Sequence, residues 1–482
     1  MMTRRQFGIG AAALMLARPG SAEDIWPVWA DELRRRLEKM AADLTAKLKP
    51  WRGPSLTIRP DGNGTAAIQA AIDAAAAKGG GTVLLAGGDF VSGTLDLRSH
   101  VRLKIDKGAR LLASLDLADY PDRVARRPTV MDSNMQMNQS LIFAEGCENI
   151  ALAGGGTIDG RGTRDHFPGE DSPHATPGRP FLIRILDCRN VHVSGLTLRD
   201  AACWMQDYLN CDRLLIEGLT VDNQANSNND GCDIDGCRDV IVRNCLINSE
   251  DDGLCFKQAS LRPTERVLVE NCRVYSTCNA LKLGTDTQST CRDVLVRNVE
   301  LGGPDESMRS LRRRKALSAI AWESVDGGTS EDALFTHVHI VRADTPLFLR
   351  LGDRGRVRPE QARPPVGLVQ RLVFDGLTGE DNGPHGSYFT GLPGHPIREI
   401  VLRHVDLTVG GTAESALDQA AIEEMADQYP DPPMVKCPLP AYGLWARHID
   451  GLVLKDVRFT PDQPDPRPMI KADFDVRGLR QD

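Results

Sequence analysis

From Arg189 onward the chain repeats a polar pair, an alternating apolar strand and a turn holding Gly or Asn. The phrase runs Arg189-Asn190-Val191-His192-Val193, then Asp212-Arg213-Leu214-Leu215-Ile216, then Arg238-Asp239-Val240-Ile241-Val242. Glu265-Arg266-Val267-Leu268-Val269 and Arg292-Asp293-Val294-Leu295-Val296 continue it, and looser copies follow near Gln370, Arg398 and Asp450. The steps between the first five copies are 23, 26, 27 and 27 residues. A period in the mid-twenties marks a solenoid. A leucine-rich repeat needs a fixed leucine ladder; here the ladder is Val/Ile, with Asn244-Cys245, Asn271-Cys272 and Asn298-Val299 at the turn. Several short strands and no helix per repeat predict an all-β parallel β-helix, with coils stacked about 4.8 Å apart. Trp26 to Leu48 and Thr65 to Lys78 read as helices before the first strand at Thr82, and the second is expected to cover the N-terminal end of the solenoid. The expected division is 1–22 signal, 23–81 helical segment and cap, and 82–482 β-helix.

Composition refines this picture. The 45 glycines and the low aromatic share suit a turn-rich, strand-rich chain, and the net charge of −8 argues against non-specific nucleic-acid or membrane binding. An acidic substrate would need a local basic pocket. Thr3-Arg4-Arg5-Gln6-Phe7 ahead of an apolar stretch resembles a twin-arginine export signal, so a periplasmic or secreted location is expected. No later stretch reaches the roughly 20 apolar residues of a membrane span. Of the 12 cysteines, Cys245 and Cys272 occupy equivalent strand positions, where a buried thiol packs as a small hydrophobe; Cys232 and Cys237 are close enough in sequence to pair.

The candidate chemistry is a set of acids in consecutive coils: Asp230 in Asn228-Asn229-Asp230-Gly231, and Asp251-Asp252-Gly253 one coil on. Stacking brings these carboxylates to one face. Like charges that close raise the pKa of one member, so one carboxyl stays protonated as general acid while another stays ionised as base. Glycoside hydrolysis needs that division. A lone Asp would read as a turn residue, which is the reading for Asp235 and Asp239.

These residues resemble glycoside hydrolase family 28, the polygalacturonase family of right-handed β-helices. Its Asn-x-Asp motif is similar to Asn228-Asn229-Asp230, and its Asp-Asp motif to Asp251-Asp252; Gly154 to Gly160 and Trp204 fit as well. The likeness runs from about residue 60 to about 460 and points to a divergent bacterial branch. It implies Asp251 as general acid, Asp230 with Asp252 holding the water, inversion at the anomeric carbon, and neither metal nor cofactor. Two departures stand out. Asn279 occupies the place of the histidine in the family's Gly-His-Gly motif. Ala319 to Ser324 stands where Arg-Ile-Lys would hold the galacturonate carboxylate.

The candidate substrate contacts are Asn228, Asn279, Lys257, Lys282, Trp322, Arg350 and Arg354, with the run Arg312 to Lys315 as either a solvated loop or a groove contact. Loops 163–180, 304–315, 353–365 and 412–440 are expected to wall a groove. The expected partner is an acidic plant polysaccharide or oligosaccharide. Two alternatives remain: a β-elimination lyase using the acids for calcium, and a non-catalytic carbohydrate-binding β-helix.

Overall fold

The computed structural model describes residues 26–48, 51, 53–60, 64–129, 138–169, 178–357 and 360–482. The segment read as an export signal, 1–22, lies outside them, as does part of the loop 163–180. Among the described residues no helix is long and apolar enough to cross a membrane.

The polar pair of each repeat is what bends the chain. Its second residue, Asn190, Arg213, Asp239, Arg266 or Asp293, lies in the left-handed region at φ between 56° and 58°. One left-handed residue breaks the pleat and turns the strand into the next face. The asparagine turn does the same one face later, at Asn244, Asn271 and Asn298. Each strand then pairs in parallel with its counterpart a coil away, so Val191, Leu214, Val240, Val267 and Val294 form one continuous inward row. All five are fully buried. The fold is a right-handed parallel β-helix. In its middle coils three strands line three faces, for example Cys232–Asp235, Arg238–Arg243 and Leu246–Ser249.

The two N-terminal helices have different jobs. Helix α2 (Gly64–Ala77) buries Ile68, Ile72 and Ala75 against the first coil. Helix α1 (Val28–Lys47) caps nothing. It lies along the outside of the solenoid, packing Ala30, Leu33, Leu37, Ala41 and Leu44 on an outward row of seven residues, Leu215, Ile241, Leu268, Leu295, Leu334, Val373 and Val401. The lengths match: 20 residues rise roughly 30 Å, and six strand spacings cover roughly 29 Å. Arg36 to Asp293 and Arg297 to Glu38, both at 2.5 Å, fix the helix laterally. Leu37 is fully buried at the centre of this contact. Leu37→Ala is expected to cost about 3 kcal/mol, read as a lower urea midpoint. An unchanged midpoint would mean that α1 contributes little to the stability of the folded chain.

All twelve cysteines are free thiols. Cys232 and Cys237 therefore do not pair. Cys232 belongs to the inward row of its strand, and the Cys237 thiol turns to the Tyr208 and Asp235 carbonyls.

Candidate functional site

The acids sit where one face begins. In the strands Cys232–Asp235 and Leu254–Gln258, Cys232, Ile234, Leu254 and Phe256 fill the core, so Asp233, Asp235, Cys255 and Lys257 point outward. Cys232 pairs with Leu254, and the Gly231 N–H donates to the Asp252 carbonyl at 2.8 Å. The ladder therefore sets Asp230 beside Asp252, with Asn279 one coil further, its carbonyl accepting from the Gly253 N–H at 2.8 Å. The glycine after each acid lets coils approach this closely. A Cβ on Gly253 would stand 2.5 Å from the Ala280 carbonyl oxygen, and one on Gly231 would stand 2.5 Å from that of Gly253.

Buried amides shape the loop that delivers Asp230. Asn229 accepts from the Ala225 and Asn226 N–H groups and donates to the Ala201 and Cys203 carbonyls. Asn223 donates to the Asp230 carbonyl at 2.9 Å. Asn228, left-handed at φ 54°, accepts from Arg179 at 2.7 Å, which pins the turn. On the next coil Ser249 and Ser276 donate to the Asp251 carbonyl.

Two lysines thread this cluster. Lys257 Nζ lies 3.6 Å from Asp230, 3.2 Å from Asp233 and 4.5 Å from the centre of the Trp204 ring. Lys282 Nζ lies 3.0 Å from Asp252 Oδ2, while Asn279 donates to Asp252 Oδ1 at 2.8 Å. The adjacent aspartates are consequently pushed in opposite directions. Burial, and then the charge of Asp252, raises the Asp251 carboxyl above 3.8. Burial would also raise Asp252, but the Lys282 and Lys257 ammoniums and the Asn279 bond outweigh it and hold the carboxyl below 3.8. Burial, with Asp233 and Asp251, pushes Asp230 up. Asp251 is also the most exposed of the three; Asp230 and Asp252 are buried. Asp251, Asp252 and Cys278 bring donor atoms within 4.8 Å of one another. Two carboxylates and a thiol are too few oxygens for calcium, and Asp252 is already engaged by Lys282 and Asn279.

The structure brings Asp230, Asp251, Asp252, Asn279, Lys257 and Lys282 together and separates three other candidates from them. Trp322 does not stack on a ligand: it is an inward residue, fully buried, its indole N–H donating to Ser330 and its ring meeting Phe335 edge-on at 5.2 Å. The parity of its strand decides this, because Ile320 and Trp322 face in while Ala321 and Glu323 face out. Arg350 does not reach a groove either. It lies beneath the loop 412–440, donating to the Glu424 and Met425 carbonyls at 2.6 and 3.0 Å. Arg354 is tied to Asp326 and to the Thr285 carbonyl, and approaches the site at Tyr429, 5.9 Å from its ring.

The four cations of 312–315 are all paired, with Glu250, Asp344, Glu306 and Asp381 respectively. Arg312 thereby draws the loop 304–315 to Glu250, directly before Asp251. On the other side, Val435 and Leu439 of the loop 412–440, with Ala441 just after it, cover Ala321, Phe348, Tyr388 and Trp445, and the Tyr429 ring centre lies 5.9 Å from Lys282 Nζ.

Sequence reasoning missed Asp233, Glu250, Glu323, Tyr429 and Asp431. Burial raises Asp233 and Glu250 to about 7, Glu323 to about 8 and Asp431 to about 6. Asp233 and Glu250 carried a signal, each lying within three residues of a singled-out aspartate. Tyr429 and Asp431 carried none, since only the fold of a long loop brings them here. Asp239 is a turn residue as expected, and Asp235 accepts twice from the Ser260 N–H at 3.1 Å.

Comparison with known proteins agrees with this architecture. The chain is 27% identical to a probable polygalacturonase of Vitis vinifera over 46% of its length and 48% of that protein's. It is 25% identical to a polygalacturonase of Ralstonia solanacearum over 62% and 66%. The chain thus spans about half to two thirds of the length of these curated relatives. Among solved structures, an exopolygalacturonase from Thermotoga maritima superposes with a TM-score of 0.62 at 18% identity, covering 78% of this chain and 91% of that one. A polygalacturonase from Erwinia carotovora gives 0.57 at 20%, covering 74% and 94%. Residues 87–309 match the family described as glycosyl hydrolases family 28, a span that holds the three aspartates, Asn279 and both lysines. Over these residues the chain is similar to glycosyl hydrolases family 28.

Proposed function

We propose that this chain is a glycoside hydrolase that cleaves pectic polysaccharide with inversion at the anomeric carbon. The observation that carries this reading is the opposite push on two neighbouring aspartates, Asp251 up and Asp252 down. Asp251 gives its proton to the leaving glycosidic oxygen as the bond from C1 breaks. Asp252, ionised beside Lys282, takes a proton from a water whose oxygen bonds C1 from the opposite side, and Asp230 orients that water. Lys257 and Lys282 serve the acids and leave neither ammonium for a uronate carboxylate at the cleavage point. A pectic backbone that alternates uronate with a neutral sugar therefore fits better than pure galacturonan. The paired arginines Arg4-Arg5 support export to the periplasm or beyond.

Fragments of both backbones, incubated with the purified protein, test this. Cleavage is expected to yield new reducing ends of inverted configuration by NMR, without the absorbance of an unsaturated sugar. Retained configuration overturns the mechanism, and an unsaturated product overturns the reaction class.

A further inference from the structure

The outward row that carries α1 does not stop where the helix does. Beyond Leu215 it continues toward the N-terminal coils as His192, Ala151 and Arg102. There the row turns polar, and the C-terminal end of α1 leaves it open. A groove of about 610 Å³ lies at this junction, between the helix end at Lys47 and Leu48, Trp51, and the outward side chains of the first coils. It is on the α1 face of the solenoid, whereas the acid cluster belongs to the face of the strands Cys232–Asp235 and Leu254–Gln258.

Its chemistry is the reverse of the acid cluster. Among the described residues no Asp or Glu lines it, in a chain with 66 acidic residues and a net charge of −8. His100 and His192 line it, but each has a glutamate within 3.6 Å. Lys47 stands at the negative end of the α1 dipole. Among the described residues no carboxylate pairs with Arg102, whose guanidinium donates to the Thr82 hydroxyl at 3.0 and 3.2 Å. Burial lowers the Arg102 pKa with no carboxylate to oppose it. Around it stand an indole, Trp51, and the amides of Asn149 and Asn190. An apolar platform, hydrogen-bonding amides and a forked cation are what a sugar bearing a carboxylate needs. The volume falls in the range of small-ligand sites, roughly 300–1,000 Å³.

We propose that this groove is a second glycan-binding site, apart from the acid cluster, which holds a uronate-bearing stretch of polysaccharide with Arg102 on the carboxylate and Trp51 under the ring. It goes beyond the hydrolase reading and does not depend on it. A site of this kind keeps the polymer on the protein while another stretch meets the acids, and effective concentration raises overall binding without new contacts at either site.

Titration calorimetry on the full-length Asp251→Asn chain tests it with trigalacturonate as the probe. Two sites per chain are expected, falling to one when Arg102→Ala and Trp51→Ala are added, with at least 10-fold weaker binding at the lost site. Arg102→Lys, which keeps the charge and the bulk, is expected to lose less, and an unchanged melting temperature in each variant excludes misfolding. If the acid cluster binds no trigalacturonate, a single site that disappears with the two substitutions still supports the groove, and the hydrolase reading stands or falls on the alternating backbone instead. Binding indifferent to these substitutions overturns the proposal. So does equal binding of neutral maltotriose, or full competition by millimolar inorganic phosphate, which would mark an anion site without sugar recognition.

Discussion

Replacing Asp251 with Asn is expected to lower kcat on a pectic oligosaccharide by roughly 10³-fold, within the usual span for loss of a general acid. The amide is close in size to the carboxyl, and the backbone at this position is held by Ser249 and Ser276 through the Asp251 carbonyl, which the substitution leaves in place. The fold should therefore survive, with an unchanged melting temperature. The specific signature is in the leaving group. An aryl glycoside whose phenol departs without help needs no proton, so most of the loss should vanish on such a substrate. On the same assignment Asp252→Asn removes the base instead, and no leaving group compensates for that. Its loss is expected to be as large on the aryl glycoside as on the natural bond. Equal behaviour of the two variants on both substrates would remove the assignment of acid and base.

Lys282→Met should give the second large effect, roughly a 10²-fold fall in kcat/KM at acidic pH, and it should move the whole pH profile. On the proposed assignment the rate needs Asp252 ionised and Asp251 protonated. Activity is then lost as pH falls through the Asp252 pKa, below 3.8, and lost as pH rises through the Asp251 pKa, above 3.8. The Lys282 ammonium lowers both carboxyls. Without it, burial acts on Asp252 unopposed by its nearest cation, 3.0 Å away, and the base stays protonated to higher pH. Both limbs should shift upward, the acid limb further, because Lys282 follows burial directly among the influences on Asp252 and comes after Asp252 itself among those on Asp251. A profile that keeps its limbs while losing height would mean that Lys282 contacts substrate rather than tuning the aspartates.

How these charges came together could be foreseen only in part. The repeat placed Asp230 and the pair Asp251-Asp252 on successive coils, and the register then set Asp230 beside Asp252. Asn279 and Lys282 lay in the right coil by the same count. Trp322, Arg350 and Arg354 were harder, because proximity in sequence to the right coil says nothing of direction. A one-residue change of parity exchanges the core for the surface, and Trp322 falls on the inward parity with Leu281 and Leu283 of the neighbouring strand. Arg350 has the outward parity, but a distant loop lies over it and takes its donors.

The place of α1 was also written in the chain. The middle residue of each apolar triplet points outward and should be polar if it meets water. His192 obeys that rule, while Leu215, Ile241, Leu268, Leu295, Leu334, Val373 and Val401 break it over the seven coils that the helix covers.

The sequence by itself determined the solenoid and the coils that carry its three aspartates. These follow from local chemistry: left-handed polar residues at fixed intervals, Val/Ile rows between them, and glycines where coils pass close. Tertiary structure alone decided which aspartate is pushed up and which down, which arginine anchors a loop and what Tyr429 approaches. Those depend on burial and on groups far apart in the chain, and a carboxyl's proton is governed by what surrounds it in space rather than by its neighbours in sequence.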